Sequence, residues 1–268
     1  MSNHWLVDGH VHLHPCYDLE ALLASNERRR RDNARRLGLA DDTPAAWLLT
    51  EMPGVDRFTE LATGTLPSGW HAETTQDDEA IWLTPAEGPA LLVVAGAQHV
   101  TAEGIEVLAL GTRARLDEGM PLDATITGVM ESGALACLPW GVGKWLGGRG
   151  KKIAAAIEAS WPAPLFLGDN AGRPQLSLPP PLLNKGRERG LSILPGTDPL
   201  PFESETTRPL AHGFVLEATL DADRPAQALK TTLTAGEGGL QPFGRRESVI
   251  RFFRHQVEMQ LRKRRRSA

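Results

Sequence analysis

The second half of the chain most constrains its fold. From Leu135 onward, short apolar runs alternate with segments of helical character. The runs Leu135–Leu138, Pro164–Leu167 and Leu191–Leu194 lead into Pro139, a Gly-Asp-Asn turn at 168–170 and Pro-Gly-Thr-Asp at 195–198. A further run, Phe214–Leu220, follows. Between them lie helix candidates over Lys151–Ala159, Leu182–Arg189 and Pro225–Leu233, the last with proline in its first turn. Strands without a polar face need cover on both sides, so the alternation implies a largely parallel sheet clothed by helices.

The first half is less regular. Trp5–Leu13 reads as a strand, and Asp18 caps a helix over Leu19–Leu37 that stops at Gly38. Trp47–Met52 suits a short strand. Trp70–Thr75 and Ala80–Thr84 suit a hairpin around the acidic turn at 76–79. Ala90–Val100 and Ile105–Leu110 read as strands, and Leu122–Glu131 as a helix. A last amphipathic helix over about Glu247–Arg262 aligns Val249, Phe253, Val257 and Leu261, as core packing or as the seam of a homo-oligomer. With 268 residues, 41% hydrophobic content, no repeat and no linker, one domain spanning 1–268 is expected. Its α/β pattern favours an irregular or distorted (β/α) TIM-type barrel, with an open doubly wound sheet as the alternative.

A formal charge of −4 argues against a general nucleic-acid binder. The arginine runs at 28–31 and 262–266 fall on or at the ends of helices, where they suit solvated faces and helix C-termini. Cys16 and Cys137 form no CxxC pair, which fits a reducing compartment. The apolar stretch Ala90–Ala97 is too short to span a bilayer, and the first residues lack the pattern of a signal peptide. The expectation is a cytoplasmic protein with no membrane partner.

The chemistry concentrates in Val-Asp-Gly-His-Val-His-Leu-His-Pro, residues 7–15, where His10, His12 and His14 alternate. Residues i and i+2 of a strand share a face, so His10 and His12 project side by side, with His14 beyond the strand end. Imidazoles suit zinc, iron and manganese, and two from one strand end supply half a tetrahedral site. Asp198 follows a buried strand directly, which in an α/β protein places it at the same carboxyl edge. There it can ligate the metal or accept a proton from a metal-activated water. Asp169, with Asn170 beside it, occupies the equivalent point of the preceding strand.

A first strand reading DGHVHLHP and a late one ending in GTDPLP resemble the amidohydrolase superfamily and the related polymerase-and-histidinol-phosphatase (PHP) domains. The segment GAQHVTAEGIEVLALG is similar to the paired middle strands of a PHP domain. This resemblance implies a barrel-type fold and metal-dependent hydrolysis of phosphoesters, amides or lactones. It carries over to His10, His12 and Asp198, with Glu106 and His99 as weaker candidates. The chain departs from the PHP pattern at Gln98, where a glutamate is usual, and at Glu106, where a histidine is usual. It also has Leu-Pro-Trp-Gly in place of a strand ending in histidine, and Pro-Leu-Pro in place of a second closing histidine.

The glycine-rich stretch at 139–152 matches neither a P-loop nor a dinucleotide fingerprint. It leads into a helix, whose free N–H groups and nearby Lys144 and Arg149 suit an anion, with Trp140 as an apolar wall. The combined expectation is a hydrolase that binds zinc, manganese or iron and acts on a small anionic substrate. The alternative is a degenerate barrel without catalytic metal that binds a ligand or a protein partner.

Overall fold

The structure is a computed structural model that describes residues 4–173, 178–236 and 240–246. In chain order it forms β1 (His4–Val11), α1 (Leu19–Leu37), β2 (Ala45–Leu49), α2 (Arg57–Thr63), β3 (Trp70–Thr74), β4 (Ala80–Pro85), β5 (Leu91–Val94), β6 (Gly96–Val100) and β7 (Glu106–Leu110). There follow α3 (Leu122–Glu131), β8 (Leu135–Pro139), α4 (Gly147–Glu158), β9 (Phe166–Asn170), α5 (Pro181–Glu188), β10 (Ile193–Gly196), β11 (His212–Glu217), α6 (Pro225–Ala235) and β12 (Gln241–Gly244). The expected helix at Glu247–Arg262 lies outside the described residues.

Helix limits follow the local signals. The Asp18 carboxylate accepts from the Ala21 N–H at 2.7 Å, satisfying a free donor of the first turn of α1. Gly38 ends that helix at φ 70°, a left-handed conformation that glycine adopts without steric cost.

The strands of the described residues form two mixed sheets. One has seven strands in the order β12-β11-β1-β2-β5-β4-β3, and the other has five in the order β10-β9-β8-β7-β6. Each sheet turns one face to a shared apolar core. Trp5, Val7, Leu48 and Phe214 enter it from the first sheet, and Leu108, Cys137, Phe166 and Leu194 from the second. The outer face of the first sheet is covered by Leu22 and Leu23 of α1 and by Phe58 and Leu61 of α2. The outer face of the second is covered by Ile126 and Val129 of α3, Ile153 and Ile157 of α4, and Leu183 of α5. Burying each such side chain contributes roughly 1.5–3 kcal/mol. Ala226, Leu229 and Leu233 of α6 join the shared core, and Lys230 Nζ donates to the carbonyls of Gly111 and Gly133 at 2.9 and 3.0 Å. Helix α6 therefore covers the end of the core where β8 begins. The opposite end, where β1, β8, β9 and β10 finish, holds the polar side chains discussed below.

This architecture corrects the expected TIM-type barrel. Such a barrel is a closed ring of parallel strands. Here the ladders β1–β2, β2–β5, β8–β9 and β9–β10 are parallel, and the other described ladders are antiparallel. The reason lies at Ala95–Gly96. The run Ala90–Val100 reads as one strand, but the chain changes sheets within it, so β5 belongs to the first sheet and β6 to the second. A Cβ on Gly96 would lie 2.2 Å from Leu49 O and 2.6 Å from Ala109 O, so the crossing requires glycine. An isolated bridge between Glu51 and Ala97 joins the sheets beside this point, without a continuous ladder. Among the described residues, no helix is long and apolar enough to cross a membrane.

Candidate metal centre

His10 and His12 lie at the carboxyl end of β1 and are both buried. Their Nε2 atoms are 3.1 Å apart, and each lies 3.5 Å from Asp198 Oδ1. Burial pulls the pKa of His10 down to about 4. For His12 the same desolvation, with the adjacent His10 adding to it, reaches about 3. Both rings are therefore neutral near pH 7, the form that offers a lone pair to a metal. Bonds of 2.0–2.1 Å in tetrahedral geometry put neighbouring ligand atoms about 3.3 Å apart. The three observed separations bracket that value, so the donor set and its spacing fit one divalent ion. Among the described residues, these three are the group whose ligand atoms converge in this way.

Several contacts hold Asp198 in place. It sits at φ 47°, in the left-handed region that aspartate tolerates better than most residues, and its N–H donates to His10 O at 2.8 Å. Its Oδ2 accepts from Asn170 Nδ2 at 2.7 Å, and the same amide donates to Trp140 O at 2.6 Å. Below the turn, the buried Asp8 carboxylate accepts from Thr197 N, Thr197 Oγ1 and Leu210 N at 2.9, 2.6 and 2.8 Å. Desolvation pushes Asp8 up to about 6, against the lowering effect of these hydrogen bonds. Asp8 thus fastens the strand bearing the imidazoles to the turn bearing Asp198.

Close approach of β10 to β1 is the remaining condition. A Cβ on Gly196 would stand 2.4 Å from His10 N and 2.6 Å from His10 Cβ. Gly196→Ala is expected to push the Asp198 turn away and to cost about 2 kcal/mol or more, as overpacking of a tight site does. Urea unfolding of the metal-free protein measures this, and an unchanged midpoint would contradict it.

His14 Nε2 lies 3.1 Å from Pro199 O, outside the triad, where it braces the segment after Asp198. Glu106 is tied in an ion pair to Lys144 rather than joining His10, His12 and Asp198. Lys144 is part-exposed beside the site, and its charge acts on both imidazoles. Arg149 Nη2 donates to Gly143 O at 3.1 Å and so braces the loop that carries Lys144. Trp140 contributes its carbonyl to Asn170, while its half-buried indole packs on the α3–α4 side of the sheet. Asp169 points to the outer face, where Arg173 grips it through Nε at 2.9 Å and Nη2 at 2.7 Å. Buried His99 has Nδ1 3.4 Å from Glu118 Oε1 and pairs across the ladder with Val107, a residue of the outer core. Asn170 and Asp8 are the residues that sequence reasoning undervalued. An acid within the apolar run of β1 was the available signal for Asp8.

No family model and no curated protein matches the chain. Among solved structures, the crystal structure of PsfC from Pseudomonas syringae PB-5123 is similar, with a TM-score of 0.58 and 16% sequence identity. The match covers 97% of this chain and 100% of that one. At this identity the likeness shows a shared fold and nothing about activity.

Proposed function

We propose that the chain is a metal-dependent hydrolase acting on a small anionic substrate, a phosphoester or an amide or lactone. The observation that carries this reading is the convergence of His10 Nε2, His12 Nε2 and Asp198 Oδ1 at the separations of one coordination sphere. The likeness of DGHVHLHP and GTDPLP to amidohydrolase and PHP motifs supports it. A divalent ion such as zinc, manganese or iron would supply Lewis acidity there, lowering the pKa of water and polarising the scissile bond. The chain's own residues supply the rest. His10 and His12 present neutral rings, and Asp198 offers one carboxylate oxygen as ligand or proton acceptor. Asn170 holds the other oxygen, and Lys144 attracts the anionic part of the substrate.

A second reading is a ligand- or partner-binding protein without metal. The 3.1 Å separation of the Nε2 atoms is also that of a hydrogen bond between two neutral imidazoles. In addition, His10 Nδ1 is buried with no hydrogen-bond partner among the described residues, where metal-bound histidines usually donate to one. Metal analysis of protein purified without chelator separates the two. The hydrolase reading expects about one equivalent of zinc, manganese or iron, and turnover of a phosphoester, amide or lactone panel that stops on chelation and returns with metal. Protein that takes up no metal and turns over none of the panel would refute it.

A further inference from the structure

Asp198 and Glu106 both reach this end of the shared core, and they have different partners. Asp198 stands against the imidazoles, whereas Glu106 is neutralised by the Lys144 ammonium. Hydrolytic sites with two metal ions hold them about 3.5–4 Å apart, and a carboxylate tied to ammonium is withdrawn from that task. We propose that Lys144 serves as a built-in cation in place of a second metal ion, so that the centre takes one divalent ion and Lys144 receives the phosphate of a phosphomonoester beside it.

The loop is built to hold that ammonium. Trp145 is buried and its Nε1 donates to Pro139 O at 3.0 Å, anchoring the loop to the end of β8. Lys144 N donates to Gly141 O at 3.0 Å. The stem of Lys144 crosses directly over Gly141, where a Cβ would come within 2.6 Å of Lys144 Cδ. Asn170 ties the start of the loop, through Trp140 O, to the ligand carboxylate of Asp198. The Lys144 side chain is 41% exposed and that of Glu106 19%, so lysine is the more accessible member of the pair.

Charge then makes a sharp distinction. The charged groups acting on the two imidazoles include Asp198, Glu106 and Lys144, and His14 also lowers the proton affinity of His12. The two carboxylates and the ammonium together leave one excess negative charge without metal and one excess positive charge with a divalent ion. Inorganic phosphate should therefore bind the loaded protein and not the metal-free one, and Glu106 should limit its affinity as the counter-charge of Lys144.

This inference rests on the metal reading above, and one set of measurements separates their failures. Metal content and calorimetric titration with inorganic phosphate are compared for the wild type, Lys144→Met, Lys144→Arg and Glu106→Gln. The wild type is expected to hold one equivalent of metal. Lys144→Met should keep that metal and lose about tenfold to a hundredfold in phosphate affinity, as for a charge-assisted hydrogen bond. Lys144→Arg should retain most of the affinity, and Glu106→Gln should keep the metal and bind phosphate more tightly. Unchanged phosphate affinity in Lys144→Met, a second metal equivalent in the wild type, or metal loss in Glu106→Gln would each overturn this inference alone. Wild-type protein that binds no metal would overturn the metal reading and this inference with it.

Discussion

Replacing His10 and His12 together with alanine is expected to lower zinc or manganese affinity by more than about 100-fold, since loss of outer partners alone costs 10–100-fold. Asp198→Asn is the cleaner companion. Asparagine tolerates the left-handed φ of 47° at this position, so the substitution removes the charge without adding backbone strain. Both variants should melt near the metal-free wild type in the presence of chelator and lose the stabilisation that added metal confers. Competition against a chromophoric chelator reads the affinity directly. A double variant that retains wild-type metal affinity would show that the three converging atoms are not the ligands.

The second large effect is acid lability of the metal-free protein. His10 is held at about 4, His12 at about 3 and His212 at about 4, in each case by burial first. Their folded values lie below the ordinary 6.5, so the unfolded chain binds these protons first. The stability they represent is present near neutrality and is lost as pH falls from about 6.5 toward 4. Asp8 acts in the opposite sense. Its folded value of about 6 lies above the ordinary 3.8, so its contribution grows as pH falls through 6. Three imidazoles against one carboxylate leave about two protons taken up on unfolding near pH 5, or about 2–3 kcal/mol lost per pH unit. A typical domain has about 5–15 kcal/mol in all. Urea unfolding between pH 7 and pH 5 should therefore show a steeply falling midpoint. A flat profile over that window would mean that the imidazoles are not buried in the neutral form.

Much of this protein was legible in one dimension because the relevant signals are local. Asp18 and Gly38 mark the ends of α1 through the hydrogen bonds and backbone angles that capping requires. The acidic turn at 76–79 separates β3 from β4, which pair antiparallel as the hairpin pattern implies. Other elements left weaker traces. Helix α2 is short, capped by Asp56 at 3.1 Å from Thr59 N, and too brief to show helical periodicity. Strand β12, Gln-Pro-Phe-Gly, has only Phe243 buried and carries little strand signature. In β9 both faces are covered, so Phe166 and Leu167 are equally apolar and nothing in the pattern tells which parity faces the site. That is why Asp169 stood out over Asn170 in the sequence, while the fold turns Asn170 inward and Asp169 out to Arg173.

The sequence by itself determined the pairing of His10 and His12, because alternation along a strand sets which neighbours share a face wherever that strand is placed. It also marked Asp198 as the residue that follows a buried strand at its carboxyl end. Only the tertiary structure decided what those residues meet. The change of sheet at Gly96 depends on carbonyls from Leu49 and Ala109, the Asp198 turn reaches His10 because Gly196 has no side chain, and Glu106 finds Lys144 from another segment of the chain. Contacts between distant segments are set by packing and charge in three dimensions, and no local pattern encodes them.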